Sequence, residues 1–325
     1  MHAWYEYTQD FFLSGIGITK IQYGVLTLVF ATLLTLVLLQ KKKKLKTILL
    51  PNKKRFYSFQ KGETEFLYDE IWKDNTYLRN GVILKENSTV FDVGANIGMF
   101  STFCANHVSP SKIKLFVFEP IPVIHEICKA NLDMHVNANG GKATCLQLGV
   151  SDKIGVATFD FHHNFSLWST AMPDFNERRK DRLLTDLGAM TESFKSTGRG
   201  KWFFNCVPNC LVSFIARRFL GILNRSEKVK CQLTTISAII DQYDVEKIDL
   251  LKVDVEGCEE RVLNGIQDKD WGKIQQLTLE VENFATVKRL TSKLQKLGFT
   301  VSSQPSERIA NPKVSSEVSH LWACR

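Results

Sequence analysis

The sequence lacks a cysteine framework: its eight cysteines are scattered over 325 residues with no tight spacing, which excludes a disulfide-built scaffold. It also lacks the composition of a disordered or fibrous chain. Apolar residues make up 44% and charged residues 23%, which excludes wholesale disorder, a collagen-like repeat and a coiled-coil fibre. The length allows one large domain or two modest ones. Net positive charge, summed over the chain outside one block, is lacking too. The formal net charge is +8, but eight of the 42 basic residues (Lys41, Lys42, Lys43, Lys44, Lys46, Lys53, Lys54 and Arg55) fall in one acid-free stretch, and the other 34 balance 34 acids. A surface for phosphate backbones would carry its charge on the folded domain, so nucleic acid is not an expected partner.

What precedes the basic block accounts for it better. Residues 21–39 read IQYGVLTLVFATLLTLVLL, without a charge. Nineteen residues is about the length a helix needs to cross a bilayer core of roughly 30 Å. A buried core helix would show a polar face, and a signal peptide would carry its positive charge before the apolar run rather than after it. One transmembrane helix is therefore expected, with residues 1–20 extracytosolic, a polybasic linker over 40–55, and the folded domain from 56 to 325 in the cytosol by the positive-inside bias. The linker also suits anionic headgroups of the lipid bilayer. Asn87, Asn164 and Asn224 each head an N-x-S/T triplet, but that topology argues against glycosylation.

Beyond the linker, strands alternate with helices. Strands are expected at 89–93 (TVFDV), 114–118 (KLFVF), 143–150, 248–253 (IDLLKV), 275–281, 299–301 and 320–323. Helices are expected at 99–106, 123–132, 259–266 and 285–297. Continuous apolar strands separated by helices predict a parallel sheet covered on both faces. Ligands of such sheets sit at the carboxyl ends of the strands, where Asp92, Glu119, Asp152, Asp254 and Glu282 stand.

The turn after the first strand, DVGANIG, is not G-x-G-x-x-G, because Asn96 occupies the middle glycine position. A dinucleotide needs its pyrophosphate tight against backbone there, whereas a ligand without phosphates needs less. Gly94 and Gly98 still permit a tight turn and a close approach of backbone. Glu119, 27 residues after Asp92, stands where a carboxylate accepts both hydroxyls of a ribose. An adenosine-bearing, phosphate-free cofactor fits, S-adenosyl-L-methionine being the common one, and a plain structural turn is the alternative.

The segments TVFDVGANIGMFSTF (89–103), VFEPIP (117–122), 149–152 and DLLKVDVEGCEERVLNG (249–265) together resemble the FkbM-type methyltransferase family over about residues 65–325. The likeness is closest to versions embedded in peptide and polyketide assembly lines. It implies a Rossmann-like class I methyltransferase fold, α/β with helices on both faces of the sheet, and S-adenosyl-L-methionine as methyl donor. Carried over by position, Asp92, Gly94, Ala95, Asn96 and Gly98 belong to the methionine end of the cofactor site, Glu119 to the ribose, and Ser151 and Asp152 to the adenine. The chain departs from the pattern at His162-His163-Asn164, where an aromatic-Pro-Asn is often seen, and at Glu282, where histidine is frequent.

Methyl transfer is an in-line displacement that gains most from positioning, and a hydroxyl acceptor must also lose a proton to a general base. Asp254, at the end of the fourth strand, is the first candidate. Glu256 could aim at the same space, hold Mg²⁺ with Asp254, or only cap the next helix. His163 is a weaker candidate base. Three further signals are set aside. Tyr243 and Lys247 have Y-x-x-x-K spacing but lie in a connection. Cys206 and Cys210 lack a second pair for zinc. Asp254-x-Glu256 resembles the metal motif of Golgi glycosyltransferases, which carry their basic residues before the anchor.

An insert at about 155–230 is expected to choose the substrate. Its apolar stretch 208–223, interrupted by Arg217-Arg218, suits either a lid on the membrane surface or a helix packed on the sheet. The expected function is O-methylation of a small or amphiphilic acceptor at a membrane. A catalytically silent S-adenosylmethionine-binding protein and a metal-dependent glycosyltransferase are the alternatives. The sequence implies no particular oligomeric state.

Overall fold

The structure, a computed structural model, describes residues 46–163, 166, 169, 171, 226–306 and 318–325. Outside the described residues lie the expected transmembrane segment 21–39 and the N-terminus before it, most of the polybasic block, Asn164, Asn224, Cys206, Cys210, Arg217 and Arg218. Among the described residues no helix is long and apolar enough to cross a membrane.

The apolar runs form strands as expected. β1 (Lys46–Leu49) and β2 (Arg55–Ser58) make an antiparallel ribbon, so the segment read as a 40–55 linker is in part paired strand. After α1 (Lys61–Tyr68) come β3 (Ser88–Val93), α2 (Met99–Val108), β4 (Ile113–Phe118), α3 (Pro122–His135) and β5 (Lys142–Leu146). β6 (Gly149–Val150), β7 (Gly155–His162), β8 (Ser226–Thr234) and α4 (Ile236–Gln242) follow. The chain closes with β9 (Leu250–Val253), α5 (Glu259–Asn264), α6 (Asp268–Trp271), β10 (Gln276–Val281), α7 (Phe284–Lys296), β11 (Thr300–Pro305) and β12 (Ser319–Cys324).

Seven strands make the central sheet in the order β11-β12-β10-β9-β3-β4-β5. Successive strand residues point to opposite faces, and both faces are covered, as expected. Val90, Leu115, Val117 and Leu250 pack under α2 and α3, while Phe91, Phe116, Phe118, Leu251 and Val253 pack under α4, α5 and α7. The fold is a Rossmann-like α/β fold with a mainly parallel central sheet.

Two expectations about strands are corrected. The sheet is not wholly parallel, because β12 runs antiparallel to both β10 and β11. The single strand expected over 143–150 is two strands. β5 ends where Glu119 N donates to Leu146 O (3.2 Å), and β6 joins a separate sheet, parallel to β8. Gly149 permits this, since a Cβ there would meet Leu233 Cδ2 at 2.7 Å. The ends of the expected insert are likewise ordered sheet: β7 and β8 pair antiparallel from Gly155↔Leu233 to His162↔Ser226.

Helix ends follow their caps. Thr235 accepts from Ala238 N at the start of α4, and Asn283 accepts from Ala285 N and Thr286 N at the start of α7, each cap contributing about 1 kcal/mol.

Candidate active site

From β3 the chain winds outward through β4 and β5, while β9 and β10 lie on the other side of β3. The carboxyl ends of β3 and β9 therefore flank the point where strand order reverses, the expected ligand crevice of an open α/β sheet. A cleft enclosing about 1100 Å³, its open mouth included, lies there.

The turn after β3 closes backbone to backbone on β9. Gly94 has φ +78°, and a Cβ on it would lie 1.7 Å from Asp254 O, so no side chain fits. Gly94 N and Ala95 N donate to Phe118 O (3.1 and 3.0 Å). Asn96 stands at φ 49°, in the left-handed region that asparagine tolerates better than other non-glycine residues. Its Oδ1 accepts from Ile97 N (2.8 Å). Gly98, at φ 78°, ends the turn against the Cys128 thiol.

Glu119 sits at the tip of β4 with its carboxylate spanned by backbone donors. Oε2 accepts from Asn96 N (3.0 Å) and Oε1 from Ile121 N (2.9 Å). Burial nonetheless pushes its pKa up to about 8, against the pull of those two donors and of Lys252.

Under the turn lies a buried charge network. Lys252, 3% exposed in the middle of β9, donates to Gly94 O (2.8 Å). Its Nζ stands 3.4 Å from Asp92 Oδ1 and 3.3 Å from Asp254 Oδ2. Burial would lower the lysine pKa, but Asp254 and Asp92 outweigh it and hold the ammonium charged. Ser101 Oγ donates to Asp92 Oδ2 (2.6 Å), and Tyr77 Oη donates to Asp254 Oδ2 (3.0 Å). Burial, then Asp254, raises the Tyr77 pKa well above its ordinary value, so the phenol stays a donor.

Of the residues expected from sequence, Gly94, Ala95, Asn96, Glu119, Ser151, Asp254 and Glu256 line the cleft. Asp92, Gly98, Asp152 and His163 are not among its lining residues. Asp92 is fully buried and acts from beneath, through Lys252 and Ser101. Asp152 Oδ1 accepts from the Ser151 hydroxyl (3.0 Å). His163 is half-exposed on the β7–β8 ribbon, paired with Glu227 at 2.8 Å, so the structure does not bring it to the reacting centre. The N-cap residue of α5 is Cys258, and Glu259 Oε1 accepts from Gly257 N (2.8 Å). Glu256 holds φ 54°, an uncommon conformation for a glutamate.

Lys252 and Tyr77 are functional neighbours that the sequence reading missed. A lysine inside an otherwise apolar buried strand is a signal in itself, because a buried ammonium needs partners. Tyr77 gives no such signal. Ser166 is a third such residue: it lines the cleft, and its N and Oγ both donate to the buried Glu63 carboxylate (2.6 and 2.7 Å).

Residues 92–301 match the Methyltransferase FkbM domain family. The chain is 33% identical over 269 residues to the 31-O-demethyl-FK506 methyltransferase FkbM of Streptomyces tacrolimicus, covering 82% of this chain and 94% of that one. It is 28% identical over 262 residues to methyltransferase sdnD of Sordaria araneosa, covering 78% and 88% respectively. A crystal structure of a methyltransferase FkbM from Methylobacillus flagellatus is similar over 76% of this chain and 46% of its own, at 14% identity and a TM-score of 0.45. The family match and the relative at 33% identity remove the glycosyltransferase alternative. The cleft at the ends of β3 and β9 thus belongs to an S-adenosyl-L-methionine-dependent enzyme, and the chain is a member of the FkbM methyltransferase family.

Proposed function

We propose that this methyltransferase is an O-methyltransferase acting on a hydroxyl of a small or lipid-like acceptor, and that residues 21–39 anchor it to a membrane with the catalytic domain in the cytosol. The observation that carries the chemistry is the Asp254 carboxylate at the end of β9. It lines the cleft with Tyr77 and Lys252 both on Oδ2, which leaves Oδ1 to take a proton from an acceptor hydroxyl. The cleft walls nearby include Leu67, Ile71, Met99 and Phe100, which suit an acceptor with an apolar body.

The residues present fit the cofactor. Glu119 offers a carboxylate at the strand tip for ribose hydroxyls, the turn at Gly94 brings backbone to the cleft without a side chain in the way, and Ser151 lies on the adenine side. When bound, S-adenosyl-L-methionine supplies an electrophilic methyl group for in-line displacement. The chain's own part is to orient the acceptor oxygen and hold its proton at Asp254 while the apolar walls exclude water.

The charge-free run 21–39, followed by the lysine block, supports the anchor. The positive insert, with 12 basic and 6 acidic residues over 174–230, supports a membrane-facing role for that segment.

The test uses the full chain in liposomes with methyl-labelled cofactor and a panel of amphiphilic alcohols and amines. Label recovered as a methyl ether, with turnover reduced about a hundredfold or more in Asp254→Asn, is the expected result. Label found only on nitrogen, or full activity in that variant, would sink the O-methyl reading. Flotation of the full chain that persists unchanged in Leu33→Arg/Leu34→Arg would sink the anchor.

A further inference from the structure

We propose that Glu70, Glu280 and His320 form a binding site for one divalent transition-metal ion, of the Mn²⁺ or Zn²⁺ class, behind Tyr77 and separate from the Asp254–Glu256 pair. One ligand atom from each of the three lies within 4.8 Å of the other two. A small inward movement would bring all three to the 2.0–2.2 Å typical of nitrogen and oxygen ligands.

Three different parts of the fold converge on the site. Glu280 and His320 are direct cross-strand partners in the β10–β12 pairing, so their side chains share one face of the sheet. Glu70 comes from a single π-helical turn, Asp69–Lys73, that continues α1, the kind of local widening often found at functional sites. The segment after that turn is tied to the same sheet face, since Trp322 Nε1 donates to Thr76 O (3.1 Å). The Thr76 hydroxyl in turn donates to Glu70 O (2.9 Å).

A second observation points to a ligand. His320 is 5% exposed, yet its Nδ1 is buried without a hydrogen bond and stands 3.9 Å from Glu280 Oε2, too far to make one. Buried ring nitrogens normally find a partner. This one faces the Glu280 carboxylate at a spacing a cation would close.

One imidazole and two carboxylates favour a borderline transition ion over Mg²⁺, which prefers all-oxygen ligands. His320 also lines a small second cleft with Thr76, Arg79 and Ser306. Arg79 is the positive group there, and it is turned to Asp74 O. The site borders the reacting centre through one hydrogen: Tyr77 Oη lies 3.0 Å from Asp254 Oδ2 and 3.4 Å from Glu280 Oε2. An ion on Glu280 would commit that hydrogen to Asp254.

The probe is Mn²⁺, which thiols bind weakly, added to the full chain and followed by electron paramagnetic resonance. The expected result is uptake of one ion per chain, with nitrogen coupling from one histidine in the pulsed spectrum of the parent protein. Affinity should fall about a hundredfold or more in Glu280→Gln and His320→Gln, beyond the 10–100-fold that loss of an outer-shell partner costs. Glu70→Gln should weaken binding in the same direction, and retained S-adenosyl-L-methionine binding would show that each variant is folded. No uptake by the parent, uptake without nitrogen coupling, or an ion lost in Asp254→Asn but kept in the Glu280 and His320 variants would each overturn the proposal.

Discussion

Lys252 and Asp254, two residues apart on the same side of the chain at the end of β9, hold Nζ and Oδ2 3.3 Å apart while the same ammonium reaches Asp92 at 3.4 Å. One buried cation thus serves two carboxylates, one fully buried and one facing the cleft. It also binds Gly94 O, so the charge network and the cofactor turn form a single unit.

Lys252→Met should therefore be severely destabilising. It leaves Asp92 buried without its cation, and breaking a buried pair in this way costs about 3–5 kcal/mol. Denaturant unfolding measures it. The double variant Asp92→Asn/Lys252→Met should be less unstable than the sum of the two single changes, because the neutral amide no longer needs the ammonium. Additive losses would show that the two residues do not act as a pair.

Tyr77→Phe separates the hydroxyl from the ring. The ring packs on Phe100 and His320, with centroids at 5.1 and 6.0 Å, and phenylalanine keeps both contacts. Loss of the hydrogen bond to Asp254 should cost about 1 kcal/mol of stability. If Tyr77 orients the Asp254 carboxylate, kcat falls by about tenfold or more while cofactor affinity stays within about twofold. An equal loss in KM and none in kcat would mean the hydroxyl serves acceptor binding instead.

Gly94→Ala tests the turn. Its added methyl would lie 1.7 Å from Asp254 O at a φ of +78°, where neither backbone can give without moving the other. Cofactor binding should be abolished and stability reduced by several kcal/mol. Gly272→Ala, with nothing within 4 Å of the new methyl, is the control and should leave both nearly unchanged. Calorimetric titration with S-adenosyl-L-methionine reads the first effect, thermal unfolding the second.

These residues also mark how far the sequence could be read. The Gly94 turn and Glu119 were visible because apolar runs end in turn chemistry, and the end of a run is a local signal. The Asp92–Lys252 pair was not, since its members are far apart in the chain and only the strand order makes them neighbours. Lys252 stands inside the expected strand IDLLKV, where a charge in a buried strand asks for its partner. The resemblance places Asp92 at the methionine end of the cofactor site, and the structure holds its side chain beneath the turn, on Lys252 and Ser101. Strand direction and sheet membership were hidden for the same reason: a hydrophobic pattern gives the faces of β12 or β6, not which neighbour each pairs with or in which sense.

Glu119 makes the remaining prediction, in pH. In the free protein its carboxyl holds a proton up to about pH 8, whereas in the unfolded chain it lets go near 4.5. Between those values the folded state binds more protons, so stability falls as pH rises, by at most about 1.4 kcal/mol per pH unit for one group. Glu259, raised by burial to about 8 as well, adds a second contribution of the same sign. His320 works the other way, its folded pKa lowered from 6.5 to about 4, but that contribution is complete once the pH passes 6.5. Glu280, pushed well above its ordinary value by burial and then by Asp254, adds a third of the same sign as Glu119. Between pH 6.5 and 8 the parent should therefore lose stability with rising pH, and Glu119→Gln should lose it less steeply. Cofactor binding should show the opposite trend. Ribose hydroxyls donate to an ionised carboxylate, so affinity should rise towards pH 8 by up to about tenfold per unit, with one proton released on binding. Calorimetry in buffers of different ionisation enthalpy measures that proton directly. In Glu119→Gln the affinity should be weak at every pH and the proton release gone. A parent whose affinity is flat from pH 6.5 to 8.5 would show that Glu119 is already ionised in the free cleft, held so by the Asn96 and Ile121 amides.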